Sequence, residues 1–123
     1  MSGEKIRILV IDDDVELTRT VCDALESQGY EAVAANSGEQ GLELAYTQHP
    51  HLVLLDVVMP GVDGWQLLRQ LEERHGSIPV IMFSGQVDER SAAEAAEHGA
   101  RGFVGKPFDP QELLARAKRL VPV

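Results

Sequence analysis

Apolar residues along the chain fall into short blocks, each ending abruptly in polar or small residues. Ile6 to Ile11 reads IRILVI and stops at Asp12, Asp13 and Asp14. Leu52 to Leu55 reads LVLL and runs into Asp56; Ile78 to Phe83 reads IPVIMF and gives way to Ser84 and Gly85. Gly102 to Val104 is shorter and precedes Gly105, Lys106 and Pro107, and Glu31 to Ala35, EAVAA, is a weaker block. Short apolar runs bounded by turn formers suit strands buried on both faces of a parallel sheet.

The intervening segments carry the other periodicity. Leu17, Val21, Ala24 and Leu25 recur at helical spacing, and Gly29 follows as a natural C′ residue. Ser37-Gly38-Glu39-Gln40 is a capping box opening a helix that carries Leu42, Leu44 and Ala45 and stops before Pro50. Asp63 caps a third helix through about Arg74, with Leu67, Leu68 and Leu71 inward and Gly76 at its end. Asp88 opens an alanine-rich helix that Gly99 terminates. Asp109-Pro110-Gln111-Glu112 combines an N-cap, proline at N1 and glutamate at N3, starting a last helix to about Leu120.

Five strands alternating with five helices predict an α/β protein, a parallel sheet covered on both faces. Right-handed crossovers leave few topologies, and the doubly wound five-stranded order 2-1-3-4-5 is the common one at this size. No repeat, low-complexity segment or linker divides the chain, so residues 1–123 are expected to form one domain with no output domain beside it.

Composition narrows the partners. A length of 123 residues with 44% apolar content is enough for a real core. Eleven basic against 20 acidic residues give a net charge of −9, which argues against direct binding to nucleic acid or to an anionic membrane. The single cysteine, Cys22, forms no internal disulfide and sits in a helical pattern, as expected of a small buried hydrophobe in a reducing, cytoplasmic compartment. No apolar run approaches the roughly 18 residues of a spanning helix.

Chemistry is expected where open α/β sheets put it, outside the carboxyl ends of the strands. Asp12 and Asp13 from the first strand, Asp56 from the third, Ser84 from the fourth and Lys106 from the fifth all reach that edge. The first strand lies beside the third in the expected order, so the three carboxylates converge. Clustered acids oppose one another's ionisation unless a cation neutralises them. Hard oxygen ligands in a small, partly hydrated site suit Mg²⁺, or Mn²⁺ in its place. A carboxylate at a strand end is a competent phosphoryl acceptor, and Lys106 and the Ser84 hydroxyl can hold the incoming oxygens.

Four segments in order, VIDDD at 10–14, LLDVVMPGVDG at 54–64, PVIMFSG at 79–85 and GFVGKPF at 102–108, make the chain resemble a response-regulator receiver domain over essentially its whole length. The resemblance implies the flavodoxin-like doubly wound fold and a role in two-component phosphorelay signalling. It implies that Asp56 accepts phosphate from a sensor histidine kinase or a histidine phosphotransfer protein. Asp12, Asp13 and Asp56 would bind Mg²⁺, with the Val58 backbone carbonyl completing the protein ligands. Ser84 and Phe103 would occupy the switch positions, and Lys106 matches the family lysine. The fourth helix, fifth strand and last helix would form the face offered to a downstream protein, by a monomer or a phosphorylation-dependent dimer. Two positions are distinctive: Val58 has no polar group to orient water, and Phe103 has no hydroxyl.

Other readings are weaker. An HAD-like phosphatase with an aspartyl-phosphate intermediate usually keeps a second aspartate two residues after the nucleophile, where this chain has Val58. A flavin or dinucleotide binder needs a phosphate-friendly loop after strand one, where Asp12, Asp13 and Asp14 stand, and no G-x-G-x-x-G is present. A phosphorylation-independent scaffold predicts partner binding unchanged by Asp56→Asn. Among single residues, Asp14 reads as a helix cap, Trp65 as packing at the start of its helix, and His49, His51, His75 and His98 as solvated residues near helix ends.

Overall fold

The computed structural model describes residues 6–56, 58–59, 62–75, 78–84, 89–105 and 110–120. In chain order the elements are β1 (Arg7–Ile11), α1 (Val15–Ser27), β2 (Glu31–Ala35), α2 (Gly38–Gln48) and β3 (Leu52–Asp56). Two short strands follow, β4 (Val58–Met59) and β5 (Val62–Asp63), then α3 (Gly64–His75), β6 (Val80–Ser84), α4 (Glu89–Glu97), β7 (Gly102–Gly105) and α5 (Pro110–Leu120). The main sheet is parallel in the order β2-β1-β3-β6-β7. Counting only its members, that is the expected 2-1-3-4-5. The antiparallel pair β4-β5 was not foreseen: two residues per strand are too few for an alternation signal.

Alternation along the strands builds two cores, one on each side of the sheet. Ile8, Val10, Leu52 and Leu54 face one way, against Val21 and Leu25 of α1 and Leu113 and Ala117 of α5. Leu9, Ile11, Val53 and Leu55 face the other, against Ala45 of α2, Leu68 and Leu71 of α3 and Ala95 of α4. Each large apolar side chain so enclosed contributes roughly 1.5–3 kcal/mol. In α2 the fully buried positions are Gly38, Gly41 and Ala45, whereas Leu42 and Leu44 are only partly buried. That helix lies close on the sheet through its smallest residues. Among the described residues, no helix is long and apolar enough to cross a membrane.

The helix ends follow local chemistry. Asp14 caps α1 by accepting the Leu17 N–H at 3.1 Å, the role its position suggested. Beyond α1, Gly29 takes φ +93°, with Gly29 N–H donating to Glu26 O and Tyr30 N–H to Leu25 O. The same pair of bonds closes α4, where Gly99 has φ +97°, Gly99 N–H donates to Ala96 O and Ala100 N–H to Ala95 O. Both are Schellman motifs, in which glycine relieves the strain of the left-handed turn. Ser37 Oγ accepts the Gln40 N–H at 3.1 Å, and Gln40 Oε1 accepts the Asn36 N–H at 2.9 Å, a capping box closed one residue early.

His49 and His51 are exposed, as expected, but His51 and His98 also make specific contacts. His51 Nδ1 accepts the Arg7 N–H at 3.0 Å, extending the start of β1. The ring of His98, at the end of α4, lies 5.1 Å from that of Trp65 in the first turn of α3. His49 ends α2 in the left-handed conformation with φ 48°.

Candidate functional site

Strand register determines what meets at the carboxyl edge. Ile11 of β1 is paired with Leu55 of β3, so Asp12 and Asp56 are the next residues on adjacent parallel strands. Asp56 is in turn paired with Phe83 of β6, which puts Ser84 one step further along its neighbour. Ser84 is paired with Gly105 of β7. Lys106 follows Gly105 in sequence and lies outside the described residues, as do Pro107 and Gly85. The backbone of Ser84 is described at the end of β6, and that of Val58 in β4, opposite Asp63. Phe103, in β7, is half-buried against the core on the α2–α3–α4 side.

One carboxylate oxygen from each of Asp12, Asp13 and Asp56 lies within 4.8 Å of the others. Asp12 is 0% exposed and Asp56 4%, whereas Asp13 is open to solvent. Two buried like charges this close repel by on the order of a few kcal/mol at the effective dielectric of a protein interior. A bound cation would offset that repulsion. Mg²⁺ takes oxygen ligands at about 2.1 Å in octahedral geometry, so its ligand atoms stand roughly 3 Å apart when adjacent and 4.2 Å when opposite. Three oxygens within 4.8 Å of one another are close enough for one dication to draw them into that shell. The donor set and its spacing fit a hard dication, with Asp13 on the solvent side.

Main-chain bonds fix the site from behind. Asp12 N–H donates to Ala35 O at 3.0 Å, and the Asp12 carboxylate accepts the Asp14 N–H at 3.0 Å. The Asp12 carbonyl accepts from Asn36 Nδ2 at 2.9 Å. Sequence reasoning passed over Asn36, although one signal pointed to it: it follows the end of β2, the strand neighbouring β1, at the level of Asp12.

Comparisons with known proteins agree with this geometry. The response regulator receiver domain family matches residues 8–118, and the chain belongs to that family. It is 39% identical over 121 residues to the probable transcriptional regulator ycf27 of Cyanophora paradoxa, covering 98% of this chain and 50% of that protein. It is 34% identical over 115 residues to the alkaline phosphatase synthesis transcriptional regulatory protein PhoP of Bacillus subtilis, covering 94% and 48%. The chain thus spans about half the length of these curated relatives. Among solved structures, chemotaxis protein CheY4 of Vibrio cholerae superposes with a TM-score of 0.90 at 25% identity, covering 96% of this chain and 100% of that one. The receiver domain of NtrX from Brucella abortus gives 0.87 at 34% identity, covering 93% and 97%. The fold and family are those of two-component receivers, and these relatives are regulators rather than classical enzymes.

Proposed function

We propose that the chain is a phosphorylation-controlled interaction module whose acceptor is Asp56. The observation that carries this reading is the convergence of Asp12, Asp13 and Asp56 at the carboxyl edge of the sheet, with their oxygens within 4.8 Å. A carboxylate oxygen of Asp56 attacks the phosphorus of a phosphohistidine on a sensor kinase or phosphotransfer protein. The P–N bond breaks, the imidazole leaves, and an acyl phosphate forms on Asp56. Asp12, Asp13 and Asp56, with the Val58 carbonyl, would hold Mg²⁺, which supplies positive charge against the incoming anion. Lys106 and the Ser84 hydroxyl hold the transferred oxygens, because this chemistry is mostly positioning and charge stabilisation.

The product is a change of surface rather than a released compound. New charge on Asp56 draws Ser84 inward, opens room for Phe103, and shifts a two-state equilibrium across α4, β7 and α5. That face binds the downstream protein partner. Hydrolysis is slow and self-catalysed, and the apolar Val58 beside the site alters its rate. The module works in the cytoplasm, as a monomer or as a dimer formed on phosphorylation. Transcriptional output, suggested by relatives such as ycf27 and PhoP, would belong to segments outside the 123 residues of this chain.

The test is phosphotransfer from a labelled histidine phosphotransfer domain. Label is expected on the wild-type protein and absent from Asp56→Asn. Equal labelling of both proteins would remove Asp56 from its role.

A further inference from the structure

A polar network behind Asp12 plays no part in the chemistry described above. Its centre is Asn36, between β2 and α2. The Asn36 side-chain amide donates to the Asp12 carbonyl at 2.9 Å and to Thr18 Oγ1 at 3.1 Å. Thr18 is 1% exposed, and its hydroxyl donates to Val15 O at 2.9 Å. The Asn36 main-chain N–H donates to Gln40 Oε1 at 2.9 Å in the first turn of α2. The Asn36 side chain thus ties the end of β1 to the start of α1, and its main-chain N–H adds the start of α2.

The bond to Asp12 has a directional consequence. The Asp12 carbonyl belongs to the peptide plane that joins Asp12 to Asp13. Its orientation decides where the Asp13 carboxylate can reach relative to that of Asp12. At this point the chain leaves the sheet ladder: the Asp12 N–H still meets Ala35 O, but the carbonyl is held by the Asn36 amide. The Asp12 carboxylate is turned by the Asp14 N–H at 3.0 Å. Without Asn36 the 12–13 plane loses this restraint, and two of the three clustered acids lose their fixed separation.

We infer that Asn36 is a positioning residue for the acidic cluster, acting through the Asp12–Asp13 peptide and held in place by Thr18. The inference rests on the proposed binding of Mg²⁺ by that cluster. Groups that orient metal ligands typically change metal affinity by about 10–100-fold, and a bond made through the main chain belongs at the lower end.

The experiment is a Mg²⁺ titration of the full chain followed by Trp65 fluorescence and by calorimetry, with thermal unfolding in EDTA alongside. Asn36→Ala is expected to weaken Mg²⁺ binding about tenfold while reaching wild-type phosphoryl uptake once Mg²⁺ saturates. Thr18→Val, which removes the hydroxyl that holds Asn36, weakens binding in the same direction, and Thr18→Ser restores it. Should Asn36→Ala fail to fold, the Thr18→Val and Thr18→Ser pair carries the test alone. Variants that melt earlier yet bind Mg²⁺ as tightly as wild type would make Asn36 a structural tie only and overturn the inference. A wild-type protein that binds no Mg²⁺ would overturn the receiver-site reading and this inference with it.

Discussion

Gly41 of α2 stands so close to Ile11 of β1 that a β-carbon on the glycine would lie 2.6 Å from Ile11 Cδ1. Ile11 is the residue before Asp12 and is fully buried, so its side chain has little freedom to swing aside. The approach of α2 to the sheet, and with it the level at which Asn36 meets Asp12, depends on this contact.

Gly41→Ala should therefore destabilise the protein, although alanine in a helix interior ordinarily gains about 1 kcal/mol over glycine. Overpacking of a filled core costs roughly 1–3 kcal/mol, which outweighs the gain. Combining Gly41→Ala with Ile11→Val removes the nearest atom and should recover part of the loss. Urea denaturation of the single and double variants reads the coupling; additive effects would contradict the contact.

Tyr30 is 3% exposed, and its hydroxyl has no hydrogen-bond partner among the described residues. Burial also raises its pKa above the ordinary 10.0. Tyr30→Phe removes a desolvated polar atom without changing shape and should be neutral or stabilising by up to about 1 kcal/mol. Because the folded pKa exceeds the unfolded one, the wild type keeps its full stability below pH 10 and loses stability as the pH rises beyond it. The advantage of Tyr30→Phe should widen there, as measured by denaturant midpoints at pH 9 and above pH 10.

Cys22 is partly buried in α1, and burial, with Glu26 and Asp23 adding to it, pushes its thiol up to about 11. At pH 8 that leaves roughly one thiol in a thousand ionised, against roughly a quarter for a free cysteine. Reaction with an aromatic disulfide reagent should be on the order of a hundredfold slower than for a model thiol, and urea should restore it. A native rate equal to the unfolded one would show the thiolate to be accessible.

The sheet was legible because parallel strands buried on both faces write continuous apolar runs, such as Leu52 to Leu55, bounded by turn residues. The meeting of Asp12 with Asp56 followed from strand order alone. Strand limits were less legible: Ile78 and Pro79 read as strand yet precede β6, which starts at Val80 and extends through Ser84. The inward face of α2 was not legible, because apolar periodicity gives no weight to Gly38 and Gly41, where closeness replaces bulk. His98 on Trp65 and Asn36 on Asp12 join residues 33 and 24 positions apart and leave no local pattern to read.

The central claim, that the Asp12–Asp13–Asp56 cluster accepts a phosphoryl group once a dication is bound, is tested most directly by intact-mass spectrometry. The protein is incubated with a small phosphodonor in Mg²⁺ and in EDTA, with Asp56→Asn as control, and the modified peptide is mapped. One phosphoryl group is expected on Asp56, in Mg²⁺ only. A mass gain that persists in EDTA or in Asp56→Asn, or no gain in any condition, would contradict the account.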